Sequence, residues 1–182
     1  MKLRQLEMLL ERVSGFDNPV AEREQYLTPA PLAARLIHMA QLAGDITDRT
    51  VLDLGCGTGI LAIGAALLGA EVVAVEDDVE AITIAEANAQ DLGCSIRFIK
   101  ADITDDTAGS LIPACDTVIM NPPFGAQNEH ADRPFLDMAL QKAGIIYGIF
   151  NAGSEPFISE YIRNRGEIIS SVRAGFVIPR TF

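Results

Sequence analysis

The 182 residues suit one domain, and an apolar share of 49% beside a charged share of 21% excludes a disordered chain. Lys and Arg number 14 against 25 Asp and Glu, a net charge of −11 that argues against gripping nucleic acid by bulk charge, though not against a few arginines or a partner that delivers RNA. The three cysteines, Cys56, Cys94 and Cys115, form no CxxC pair and the two histidines are isolated, which disfavours a zinc site and a disulfide framework.

Residues 1–12 are charged throughout and do not read as a signal peptide. The most apolar stretch, 59–75, is interrupted by Gly64, Gly69 and Glu71, as in a buried helix and strand and not a membrane span. A reduced, cytoplasmic domain is expected. Leu3, Leu6, Leu10 and Val13 recur at three or four residues and predict an amphipathic helix over 2–14. Gly15, Asn18 and Pro19 end it. Thr28 stands where an N-cap is expected, ahead of Pro29 and a helix to about Ala43.

From Thr50 onward, short apolar runs predict strands at 50–54, 71–75, 96–100, 116–120, 144–150 and 167–178. Helices are predicted between and after them at 59–69, 78–91, 134–143 and 154–165. Near-continuous apolar strands alternating with helices imply a mostly parallel sheet covered on both faces. The fold class is a doubly wound α/β domain with an N-terminal helical extension.

In such sheets ligands bind beyond the carboxyl ends of the strands, beside the first strand–helix turn. Here that turn reads Asp53-Leu54-Gly55-Cys56-Gly57-Thr58-Gly59, with Ile60 where a dinucleotide fingerprint would place its third glycine. The packed glycines let a ligand approach the backbone. Asp53 would repel a pyrophosphate but attract an ammonium group, and S-adenosylmethionine has such an amine and no phosphate. The second strand runs into Glu76-Asp77-Asp78, where an acid can accept both ribose hydroxyls. The third runs into Asp102 and Ile103, placed to meet an adenine amine and to pack on its ring. Any one of these residues alone is an ordinary helix cap or turn; their order along the chain points to a nucleoside cofactor.

The fourth strand ends in Asn121-Pro122-Pro123-Phe124, the candidate catalytic group. As bare structure, these residues would simply stop a strand. An adenine N6 amine is a poor nucleophile because its lone pair is delocalised into the ring. The Asn121 side-chain oxygen and the Pro122 carbonyl could accept its two N–H bonds and turn the lone pair outward. Proline has no N–H to compete, and Phe124 offers a face for the base. Such catalysis is mainly positioning and needs no metal.

The ordered set resembles the class I methyltransferases, and the Asn-Pro-Pro-Phe motif resembles enzymes acting on planar nitrogens: adenine N6, guanine N2 and protein glutamine. Glu24-Gln25-Tyr26-Leu27-Thr28, Asp53 to Gly57, Met120 to Gly125, and Phe135-Leu136-Asp137-Met138-Ala139 resemble the methyltransferase-like protein 5 family over about residues 22–150. The resemblance implies N6-adenine methylation of small-subunit ribosomal RNA with a small zinc-binding activator protein as partner. It further implies a Rossmann-like sheet of order 3-2-1-4-5-7-6, residues 1–28 as a cofactor-closing extension, and a methyltransferase domain over 29–182. Gln25, Tyr26 and Thr28 would close over a cofactor held by Asp53, Gly55, Cys56, Gly57, Thr58, Gly59, Glu76, Asp77, Asp102, Ile103 and Asn121. The family usually has Asp-Ile-Asp after its second strand, where this chain has Glu76-Asp77-Asp78.

Two rival readings are a protein-glutamine N5 methyltransferase and a catalytically silent methyltransferase fold serving as a binding subunit. His130, Asp132 and Arg133 follow the catalytic turn and could meet substrate, and Arg163, Arg165, Arg173 and Arg180 could form an RNA-facing edge. With six strand candidates against the seven implied, a final strand is expected to be missing, with 168–178 displaced or poorly paired.

Overall fold

The computed structural model describes residues 1–20, 23–124 and 130–175. Five of the apolar runs become strands: β1 (Thr50–Leu54), β2 (Glu71–Glu76), β3 (Ile96–Lys100), β4 (Thr117–Met120) and β5 (Ile145–Gly148). They form one sheet of order β3-β2-β1-β4-β5, with every pair parallel. Parallel neighbours require crossovers, supplied by α3 (Ile60–Leu67), α4 (Val79–Asp91), α5 (Ala108–Leu111) and α6 (Arg133–Lys142). Two helices precede the sheet, α1 (Leu3–Leu10) and α2 (Ala30–Ala43), and α7 (Glu155–Ile162) follows it.

Alternation along the strands divides the core in two. Val51 of β1 and Ile119 of β4 join Leu6, Leu10, Ile37 and Ile63 on one face. Leu52, Leu54, Val118 and Met120 join Leu136, Ile158 and Ile162 on the other. Asp53 shares the parity of Val51, so a carboxylate stands on the face covered by α3 and is 1% exposed. The N-terminal helix is therefore part of the fold: Leu6 and Leu10 are fully buried against α2 and α3.

Some expectations are corrected. The first helix ends at Leu10, short of the expected 14. Thr28 does not cap α2, which starts at Ala30 with Pro29 as its N-cap and no side-chain cap bond; the Thr28 hydroxyl is engaged with Asn121 instead. The short helix α5 was not foreseen because four residues are too few for a period. The expected strand over 167–178 does not form within 167–175. Among the described residues β5 pairs only with β4, and apolar side chains of this run stay in solvent, Ile169 at 85% and Val172 at 68% exposure. The rest of that run, 176–178, lies outside the described residues.

Candidate active site

The sheet order reverses at β1, whose neighbours are β2 and β4, and a cavity of about 450 Å³ lies at the carboxyl ends of these strands. Its wall takes Asp53 from β1, Glu76 from β2, Asp77 just past β2, Asp102 and Ile103 from beyond β3, and Asn121 and Pro123 from beyond β4. Gly55, Cys56, Gly57 and Thr58 of the first turn line it, as do Gln25, Tyr26 and Thr28. The residues scattered along the sequence are thus brought together. Pro122, Phe124 and Gly59 are not on the wall. Gly59 starts α3 with φ 91°, and a Cβ there would lie 3.1 Å from Ala85, so its role is close packing against α4.

Each acid is held differently. Asp53 Oδ2 accepts the Ala62 N–H of α3 at 2.9 Å, while its Oδ1 is buried without a partner. Burial pushes the Asp53 carboxyl up to about 8, opposed by the Ala62 bond and aided by the charge of Glu76. Glu76 Oε2 accepts the Gly57 N–H at 2.8 Å, and its Oε1 accepts the N–H groups of Asp77 and Asp78. Burial is also the main cause that raises Glu76. A carboxylate has room for about four such bonds, so Glu76 can still accept a hydroxyl. Asp102 Oδ1 accepts from Thr104, at 2.8 Å from its N–H and 2.7 Å from its hydroxyl. Burial and the charges of Asp53 and Glu76 hold the Cys56 thiol well above its usual range, which removes it as a nucleophile.

The Asn-Pro-Pro-Phe motif is clamped from the N-terminal segment. Asn121 Nδ2 donates to Thr28 Oγ1 at 2.9 Å, and Asn121 Oδ1 is buried with no partner. The first N–H after the two prolines, that of Phe124, donates to Glu24 Oε2 at 2.6 Å. The Tyr26 ring lies 5.8 Å from the Phe124 ring at a tilt of 42°, and burial, then the Glu24 charge, raise its hydroxyl well above a free phenol. Gln25 is committed elsewhere: its Oε1 accepts the Val20 N–H at 2.9 Å and its Nε2 donates to Asp78 Oδ2 at 2.7 Å.

Sequence reasoning gave no role to Arg23, Glu24 or Phe135, all on the cavity wall. Arg23 pairs with Asp77 at 3.1 Å. The ring of Phe135 explains Gly55: φ is 69° there, and a Cβ would come within 2.7 Å of the ring. The Glu24 signal was present, since it opens the Glu-Gln-Tyr segment already singled out.

Comparison with known proteins narrows this arrangement. A family model described as a methyltransferase small domain matches residues 33–146. An rRNA N6-adenosine-methyltransferase of Drosophila melanogaster is 34% identical over 181 residues, 95% of this chain and 85% of that protein. The chain belongs to this methyltransferase family. An uncharacterised protein of Methanocaldococcus jannaschii is 39% identical over 191 aligned residues, covering 100% of this chain and 86% of that one. The crystal structure of a candidate RNA methyltransferase from Pyrococcus horikoshii superposes with a TM-score of 0.90 at 36% identity, over 100% of this chain and 90% of that one. A release factor glutamine methyltransferase of Enterococcus faecalis matches over only 125 residues, 44% of that protein.

The methyltransferase draws its methyl group from S-adenosylmethionine, and the cavity fits that donor. A buried carboxylate oxygen without a partner suits the ammonium group, and among the described residues no lysine or arginine charge acts on Asp53 to take its place. Among the described residues no cluster could hold a metal ion, and no helix is long and apolar enough to cross a membrane.

Proposed function

We propose that this methyltransferase modifies the N6 amine of an adenosine in small-subunit ribosomal RNA, acting in the cytoplasm with a small zinc-binding activator protein. Asp53, the turn from Gly55 to Thr58, Glu76, Asp77, Asp102 and Ile103 hold the cofactor, whose sulfonium supplies an already activated methyl group. Asn121 Oδ1 and the Pro122 carbonyl accept the two N–H bonds of the amine, and Pro123 and Phe124 complete the seat of a base turned out of its stack.

One observation carries the reading: Asn121 Oδ1 is a buried acceptor with nothing to accept from. Such an oxygen costs about 1–3 kcal/mol if left so, and a substrate N–H removes that cost. Thr28 holds the amide nitrogen, and Glu24 takes the Phe124 N–H. With these donors engaged, the Asn121 side-chain oxygen is left to accept, which suits an amine. A glutamine amide nitrogen could use the same acceptors, but the Glu24-Gln25-Tyr26 segment and the length of the rRNA methyltransferase match favour RNA.

The test is methyl transfer to ribosomal RNA and to release-factor protein in parallel, with N6-methyladenosine mapped in the RNA of cells with and without the gene. Label in RNA at one mapped adenosine is expected. Label in protein alone, or an unchanged map, would overturn the proposal.

A further inference from the structure

Beyond the cavity, a row of rings and arginines runs outward from the segment that follows the catalytic motif. Exposed His130, one residue before Ala131 of the cavity wall, stacks on Phe157 at 6.3 Å and 23°. Phe157 stacks in turn on Tyr161 at 5.5 Å and 29°, the two being one turn apart on α7. The Arg133 guanidinium lies over both, 5.0 Å from the Phe157 centroid and 5.6 Å from that of Tyr161. Arg165 lies 5.0 Å from the other end of the row, at Tyr161.

The two arginines differ in what balances them. Arg165 is neutralised by Asp137 at 2.6 Å. Arg133 forms no salt bridge among the described residues, and its Nε is buried with no hydrogen-bond partner. It also opens α6, where the helix dipole disfavours a cation. In a chain of net charge −11, an arginine set over two rings with no salt bridge among the described residues is unusual. His130 adds a second oddity, a side-chain-bearing residue at φ 69°. Interleaved rings and arginines form the kind of surface on which single-stranded nucleic acid stacks its bases and tracks its backbone.

We propose that this row is the docking track for the single strand flanking the target adenosine. A neighbouring base stacks on the His130 end, and Arg133 meets the backbone phosphate beside it. The inference rests on the RNA reading above and extends it by naming residues that hold the strand outside the cavity.

The experiment compares wild type with His130→Ala and Arg133→Gln, and with Arg12→Gln as a control. Arg12 sits in an exposed pair with Asp91. Binding of a fluorescein-labelled 12-nucleotide oligoadenylate is measured by anisotropy across a salt series, alongside methylation of total ribosomal RNA, S-adenosylmethionine affinity and melting temperature. His130→Ala should weaken oligonucleotide binding about tenfold, a typical loss for one base–aromatic stack. Arg133→Gln should lower the slope of log K against log salt by about 0.7, the share of one phosphate on a single strand. Both should raise KM for RNA and leave cofactor affinity and melting temperature in place, and the control should change nothing.

Variants that bind like wild type while wild type methylates RNA would overturn the track alone. Lost binding that follows a lowered melting temperature, with the salt slope unchanged, would make the row a clamp between α6 and α7 and also overturn it. Failure of wild type to methylate ribosomal RNA would instead overturn the functional reading, and oligonucleotide binding by the variants would still decide the track.

Discussion

Asn121 Nδ2 and Thr28 Oγ1 meet at 2.9 Å across 93 positions of sequence, and this bond sets which way the Asn121 amide, proposed here as catalytic, faces. With the nitrogen held by Thr28, the oxygen is the atom that the proposed function gives to substrate. Asn121→Ala should lower turnover by about 10²–10³-fold, the usual loss of one preorganised group at a reacting centre, with S-adenosylmethionine affinity nearly unchanged by calorimetry. Thr28→Val should lower kcat more than it raises either KM, because the amide is freed to turn, and Thr28→Ser should restore it. A cofactor affinity that falls in step with turnover would make the motif structural.

Glu24 acts on the same loop through the backbone. Its Oε2 accepts the Phe124 N–H at 2.6 Å, a short bond to a charged acceptor worth about 1.5–3 kcal/mol. Glu24→Ala should release that N–H, loosen Phe124 from Tyr26 and reduce kcat by about tenfold or more. Glu24→Gln keeps an acceptor oxygen and should retain most of the activity. Equal losses in the two variants would mean that the charge, and not the bond, is what matters.

The fold was legible because the strands of such a parallel sheet are written as short, mostly apolar runs between helices, and β1 and β3 have the expected bounds. Asp53, Glu76 and Asn121 were legible because each stands at or next to a strand end, where topology fixes the direction of the side chain. Arg23 and Glu24 were not, since their partners lie 54 and 100 residues away. Thr28 misled for a related reason. Its hydroxyl suits a local cap, and only the folded chain brings the Asn121 amide to compete for it. At the other end, 167–178 reads as one more short apolar run, but such a run says nothing about whether a neighbour is there to pair with.

Asp53 should make the methyltransferase sensitive to pH. Its carboxyl is pushed up to about 8 by burial, against an ordinary 3.8. The folded state therefore holds this proton more tightly than the unfolded chain does. The stability that follows is complete below the ordinary value and is lost as pH rises from about 4 through about 8. Asp53→Asn removes the buried charge, so its ligand-free melting temperature should exceed that of wild type at pH 8 by several degrees, about 2–4 °C per kcal/mol for a chain of this size. A bound ammonium group favours the carboxylate, so wild-type affinity for S-adenosylmethionine should rise between pH 6 and 8 with release of a proton. Asp53→Asn should bind more weakly, by about 1.5–3 kcal/mol, and with no such pH dependence. Calorimetry in buffers of differing ionisation enthalpy reads the proton directly. A pH-independent affinity in wild type would refute this assignment.

Arg23 and Asp77 both line the cavity, and their pair ties the N-terminal segment to the end of β2, with Nη1 at 3.1 and 3.2 Å from the two carboxylate oxygens and 3.9 Å from Asp78. Asp77 stands where the resembling family usually has isoleucine, so a charged strap replaces an apolar wall. Both side chains are nearly half exposed, and exposed pairs contribute about 0–1 kcal/mol to stability. Arg23→Ala should accordingly leave the melting temperature within about 2 °C. Cofactor dissociation should nevertheless quicken, because the segment carrying Gln25, Tyr26 and Thr28 loses its outer tie. High salt should mimic the substitution in wild type, since charges at about 1 M salt are screened beyond about 3 Å, and should add nothing to Arg23→Ala. The double variant Arg23→Ala with Asp77→Ile should recover slow dissociation through apolar contact, now insensitive to salt. Stopped-flow displacement of S-adenosylmethionine at low and high salt measures all three. Equal off-rates in wild type and Arg23→Ala at low salt would show that the strap has no hold on the cofactor.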